Sequence, residues 1–205
     1  MQKTKAISTY KENLRTKILD AAMAAFTKRG IHAVTMDDVA TALKISKRTL
    51  YQIYENKEQL LYEAMVREMT NREENIRTEL MSCRNVMEIL LTIYKRKVDE
   101  YNQTNPSFYS DLVKYPRVQE YLKSQTLHTR VMMNGFFKRG VEEGYFRDNI
   151  DYKLARYLFD GMGKIVQDNK LYQYYSMKDI FNNLVFVSLR GLCTEKGISA
   201  IDKMI

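Results

Sequence analysis

Two prolines and eight glycines are all that interrupt a 205-residue chain rich in Leu, Met, Ala, Glu, Lys, Gln and Arg. Those are the residues that lose least on entering a helix, whereas proline and glycine are the ones that break it. No segment alternates apolar and polar residues for long enough to specify a strand. The chain is therefore expected to be all-α, and its length suffices to bury a core without a disulfide or a metal as a staple.

Local stop and start signals divide it into about nine helices. The first is expected over 13–29, with Leu14, Ile18, Ala22 and Phe26 on one face and Gly30 at its C-terminal end. Thr35-Met36-Asp37-Asp38 reads as a capping box opening a short helix to Leu43. Lys44-Ile45-Ser46 is a tight turn, Ser46 caps a second short helix over 47–54, and Asn56 caps a longer one reaching about residue 80. Further helices are expected over 85–103, 107–114, 116–143, 152–170 and 177–194, with Pro116 in a first-turn position and Asp151 and Ser176 as caps. There is no flexible tract between the front and the rest, so residues 57–80 form a helical junction between a domain at 1–60 and one at 61–205.

Short helix, tight turn and short helix resting on a longer helix is the outline of a helix-turn-helix. In the second short helix Leu50, Ile53 and Tyr54 fall within about 100° of one another. Arg48 and Gln52 project the other way, flanked by Lys47, Thr49 and Tyr51. Arg can bond guanine O6 and N7 together, and Gln can pair likewise with adenine. Lys57 lies at the positive end of the next helix, which suits a phosphate. The charge leans the same way. The net +8 is split as +5 over residues 1–60 and +3 over the remaining 145, which favours phosphate contact at the front. Periodicity alone leaves open a helical protein whose short basic helices simply have one wet face.

The segment from Gly30 to Leu61 resembles the N-terminal domain of the TetR family of transcriptional regulators. The likeness rests on Gly30, Thr35, Val39-Ala40, Thr49-Leu50-Tyr51, Tyr54, Lys57 and Leu60-Leu61 at fixed spacing. The chain departs from the pattern at Lys44, where the family commonly has glycine, and at Tyr54, where phenylalanine is frequent. The resemblance implies a three-helix helix-turn-helix domain fused to a C-terminal helical domain that binds an effector and dimerises. It implies base-facing roles for Lys47, Arg48, Thr49 and Gln52 and DNA-backbone roles for Thr35, Tyr51 and Lys57. Thr35 as a cap alone and Tyr51 as packing against helix 1 are the competing roles. The partners implied are a double-stranded palindromic operator, a second copy of the chain and a small-molecule effector. Repression relieved by ligand is the implied outcome.

Beyond residue 61 the residues speak less sharply. Leu154, Leu158, Gly161 and Met162 on one helix, and Phe181, Leu184, Ser188 and Gly191 on the next, form apolar stripes that two copies can close into a four-helix bundle; an intrachain core is the other reading. Tyr94, Tyr101, Phe108, Tyr109, Met132, Met133 and Phe136 are candidates for an aromatic-lined effector pocket, although packed core is the common fate of such residues.

Other classes find little support. Cys83 and Cys193 have no metal-site spacing and read as reduced thiols. His32 and His128 are isolated, and no phosphate loop or HExxH occurs, so neither an enzyme, a cofactor nor a metal is expected. Residues 1–13 lack the apolar core of a signal peptide, and no run approaches a membrane span. A cytoplasmic DNA-binding regulator is the expectation, with a helical adaptor that binds only protein as the alternative.

Overall fold

The computed structural model describes the backbone of residues 2–204 and the side chains of residues 10–125 and 133–204. Among the described residues it holds eleven α-helices and no strand: α1 Gln2–Arg29, α2 Met36–Ala42, α3 Lys47–Tyr51, α4 Lys57–Met81, α5 Val86–Gln103, α6 Pro106–Leu112, α7 Pro116–Glu142, α8 Tyr152–Asp168, α9 Met177–Ile180, α10 Val187–Arg190 and α11 Glu195–Asp202. A 3₁₀ turn follows α8 at Leu171–Gln173, and a π-helical stretch, Phe181–Phe186, joins α9 to α10.

The expected caps close the helices they were assigned to. Thr35 Oγ1 accepts the Asp38 N–H while Asp38 Oδ2 accepts the Thr35 N–H. Ser46 accepts from Thr49, Asn56 from Gln59, Asp151 from Lys153 and Leu154, and Ser176 from Asp179. Three expectations need correction. Helix α1 begins at Gln2, not near residue 13; its first turns carry no apolar stripe to announce them. Helix α3 ends at Tyr51, with Gln52 as its C-cap. The last expected helix stops at Arg190, and α11 follows, capped by Thr194.

The chain forms two compact units, each with its own core. The first joins Met1–Asn75 to Gln103–Leu122. Its buried centre includes Ile18, Phe26, Val34, Leu50, Tyr54 and Leu60, together with Phe108, Leu112 and Val118 from much later in the chain. The compact body around the helix-turn-helix thus includes α6 and the first turns of α7.

The second unit joins Ile76–Asn102 to Lys123–Ile205. Its core gathers Val86, Leu90, Tyr94, Phe137, Phe146, Phe186 and Ile201. Phe137 stacks on Tyr152 with centroids 4.8 Å apart, and a Cβ on Gly140 would stand 2.1 Å from the Phe146 ring, so only glycine fits there. The π-helical stretch has a packing reason. Residues five apart point about 140° apart on an α-helix, yet Phe181 and Phe186 both meet the Tyr94 ring edgewise, at 5.2 and 5.1 Å. The wider turn brings both rings to one side.

Candidate nucleic-acid interface

The turn between α2 and α3 departs from the usual glycine and shows how a side chain is accommodated. Lys44 has φ +55°, the left-handed region that costs a non-glycine residue about 1–2 kcal/mol. In return the Ile45 N–H reaches Ala40 O and the Lys44 N–H reaches Thr41 O, both at 3.0 Å. That bonding pattern satisfies the last carbonyls of α2. It also delivers Ser46 to the start of α3.

Residues 47–54, which comprise α3 and the turn after it, are then divided cleanly. Leu50 and Tyr54 are fully buried at the back. Lys47, Arg48, Tyr51 and Gln52 are exposed in front, and Thr49 is half-exposed. Arg48 and Gln52 have no side-chain partner among the described residues. Lys47 Nζ donates to Asp37 Oδ2 at 2.8 Å and stands 6.0 Å from the Tyr51 ring centre; the Asp37 bond raises its pKa. The Thr49 hydroxyl shares a 2.7 Å bond with Ser46 Oγ.

Of the three residues expected at the DNA backbone, Tyr51 and Thr35 are exposed. The Thr35 oxygen accepts the Asp38 amide, and its hydroxyl also bonds the Asp38 carboxylate, whose pKa both Thr35 bonds lower. Lys57 has a use its sequence position did not reveal: its ammonium donates to Ile31 O and Val34 O, each at 2.9 Å, leaving one N–H. Burial lowers its pKa, partly countered by Asp111.

Asp111 secures the same loop from α6. It is the one buried charged side chain among the described residues. Its Oδ2 accepts the His32 N–H at 2.7 Å, and its Oδ1 accepts from Lys114 at 3.0 Å. Burial pushes the carboxyl up, but these two donors more than offset it and hold it below the usual range. Gly30 (φ +86°) lets the chain pass α6 closely; a Cβ there would lie 2.9 Å from Ser107 Cβ. The Asn105 N–H closes the join by bonding Thr27 O at 2.7 Å. Nothing local in the sequence marks Asp111, whose partner His32 lies 79 positions away. Loop 30–34 is thus held by α4 through Lys57 and by α6 through Asp111, and Thr35 and α2 follow directly from it.

An exposed polar helix face on a rigid, short-turn helix pair is what reading a DNA groove requires. Residues 18–64 match the family model described as bacterial regulatory proteins, tetR family. A curated relative, the HTH-type transcriptional repressor KstR2 of Rhodococcus jostii, is 30% identical over 157 residues, 73% of this chain and 76% of that protein. The chain belongs to the TetR family. It is a DNA-binding transcriptional regulator and not an enzyme. Solved structures of similar fold extend the likeness over most of the chain. A TetR-family regulator from Marinobacter aquaeolei has a TM-score of 0.70 at 17% identity, covering 93% of this chain and 96% of its own. A transcriptional regulator from Saccharomonospora viridis in complex with choline has a TM-score of 0.69 at 19% identity, covering 90% and 100%.

As in other TetR-family chains, a helical second part accompanies the head. Its α8 leaves an apolar face in solvent: Leu154, Tyr157, Leu158 and Ile165 are 67%, 65%, 49% and 52% exposed. On the helix that follows, Val187 is 56% exposed, Gly191 is exposed, and Leu184 and Ser188 are half-buried. Gly161 has open space about it. Met162 and Phe181 point inward instead, Met162 taking a 3.4 Å bond from the Ser188 hydroxyl and Phe181 lying on Tyr94. Of the expected pocket residues, Tyr94, Met133 and Phe136 share the core of the second unit, and Tyr101 is half-buried on α5. Phe108 and Tyr109 pack instead in the core of the first unit. Met132 lies outside the described side chains. None of the described helices is long and apolar enough to cross a membrane.

Proposed function

We propose that this chain is a cytoplasmic, ligand-released repressor that binds a palindromic operator as a homodimer, with residues 1–60 reading the DNA and residues 61–205 holding the effector and the second copy. The observation that carries the reading is the division of residues 47–54: Leu50 and Tyr54 are buried while Lys47, Arg48, Tyr51 and Gln52 face solvent. On this reading Lys47, Arg48, Thr49 and Gln52 meet base edges. Thr35 and Tyr51 meet phosphates, and Lys57 acts chiefly through the loop it holds, with one N–H left for a phosphate.

The exposed apolar face of α8, with Leu184, Val187 and Gly191, supports dimerisation. A dimer is also what two half-sites roughly 34 Å apart, or a multiple of that, demand. The choline carried by the Saccharomonospora viridis regulator supports a small-molecule effector. We place this chain's effector beside Tyr94, Tyr101, Met133 and Phe136. Helix α4, continuous from Lys57 to Met81, is the route we assign to the signal. The test is a gel shift against genomic fragments, followed by titration of a bound ligand with and without the selected operator. Linkage requires operator and ligand to weaken one another by the same factor. Equal ligand affinities in both titrations overturn the release mechanism, and no retarded fragment overturns the DNA reading.

A further inference from the structure

Two adjacent carboxylates stand in the first turn of α2, and only one takes part in its cap. Asp38 closes the capping box with Thr35 and pairs with Arg29 at 3.1 Å. Asp37 does neither. Its one partner among the described residues is Lys47, the first residue of α3, ten positions away across the turn, at 2.8 Å with both side chains more than half exposed. A carboxylate at this edge works against phosphate binding, because it neutralises a cation that would otherwise reach DNA and adds negative charge beside the backbone.

That cost falls unevenly. Binding to an arbitrary sequence is almost wholly electrostatic, whereas base-edge bonds carry the sequence information. A lysine paired with Asp37 is a poor phosphate ligand, yet it can exchange its partner for guanine O6 and N7 when the operator presents them. We propose that Asp37 is a specificity-determining residue, which holds Lys47 away from the phosphates of non-operator DNA and widens the gap between operator and arbitrary-sequence affinity. The proposal rests on the DNA-binding reading above.

The experiment compares the full-length chain with Asp37→Asn and with Asp37→Asn/Lys47→Ala on two labelled duplexes. One is the operator recovered by genomic selection, and the other is a scrambled duplex of the same length and composition. Dissociation constants are measured over a salt series. One added phosphate contact steepens the slope of log K against log salt by about 0.9 and strengthens binding by up to about tenfold at 0.1 M salt. Asp37→Asn is therefore expected to bind scrambled DNA more tightly, with a steeper slope, while operator affinity moves less and the affinity ratio falls. Adding Lys47→Ala should remove the gain. An unchanged or larger ratio in Asp37→Asn overturns the proposal, as does a gain that persists without Lys47, which would mean simple charge repulsion. Asp37→Ser gives the same direction and guards against an effect peculiar to the amide. A wild-type chain that discriminates between the duplexes while Asp37→Asn does so equally removes only the role of Asp37. A wild-type chain that binds neither duplex removes the DNA reading as well.

Discussion

Replacing Asp111 by alanine tests whether the head is braced from α6. The wild-type carboxylate accepts one part-buried backbone N–H, from His32, and one ammonium, from the largely exposed Lys114. A hydrogen bond to a charged group contributes about 1.5–3 kcal/mol, and its loss here strands the His32 amide as a donor. The Lys114 pair, open to water on the lysine side, adds at most about 1 kcal/mol. Asp111→Ala should therefore destabilise the chain by about 2–3 kcal/mol at pH 7, or about 5–10 °C in midpoint for a protein of this size. Because the folded carboxyl titrates below its ordinary value, its contribution is complete above the unfolded pKa, about 4. It disappears as pH falls through the lower folded value. Thermal melts followed by circular dichroism at pH 7, 5, 4 and 3 should show the gap between wild type and variant narrowing only below about pH 4. Equal midpoints at pH 7, or a gap that persists unchanged to pH 3, would refute the account of loop 30–34.

Other substitutions probe separate parts of the molecule. Arg48→Ala should cost roughly 1–3 kcal/mol on the operator and relax preference at one base position, read by competition against single-base operator variants; unaltered affinity and preference would mean that α3 is oriented differently on DNA. Lys57→Ala strips Ile31 O and Val34 O of their donor, so it should lower the melting midpoint as well as operator affinity. A pure phosphate ligand would lower affinity and leave the midpoint alone. Leu158→Glu places a charge on the exposed face of α8 and should yield monomers with much weaker operator binding in sedimentation and gel-shift assays. A wild-type chain sedimenting as a monomer at micromolar concentration would remove that interface.

What could be read in the sequence was what local bonding determines. Each cap at Thr35, Ser46, Asn56, Asp151 and Ser176 joins residues no more than three apart, and the split of residues 47–54 into buried Leu50 and Tyr54 against exposed Arg48 and Gln52 is the one a helical period predicts, although α3 itself ends at Tyr51. What the sequence did not disclose involves partners distant in the chain. Lys57 sits where a phosphate ligand belongs, yet two carbonyls more than twenty residues earlier claim its ammonium. Phe108 and Tyr109 look like their aromatic neighbours in composition, but α6 folds back onto α1 and carries them into the first core. The π-helical stretch depends on Phe181 and Phe186 both finding Tyr94, which no period within 177–194 can reveal. Helix α11 is short, and a Cβ on its Gly197 would stand 2.2 Å from Tyr145 O, a restraint from far upstream in the chain.

The discontinuity of the first unit bears on how DNA specificity could be exchanged between relatives of this protein. A recombination point near residue 60 would carry α1, α2 and α3 into a new host but leave behind Phe108, Asp111, Leu112 and Val118, which complete their core and hold loop 30–34. A transplanted head would then inherit a stranger's α6, with its His32 amide and Gly30 passage matched to nothing. Chimeras that also move 103–122, or that graft only the solvent-facing residues of α3, keep that joint intact. On the proposed reading, operator preference travels as a helix surface, and much less so as a detachable domain.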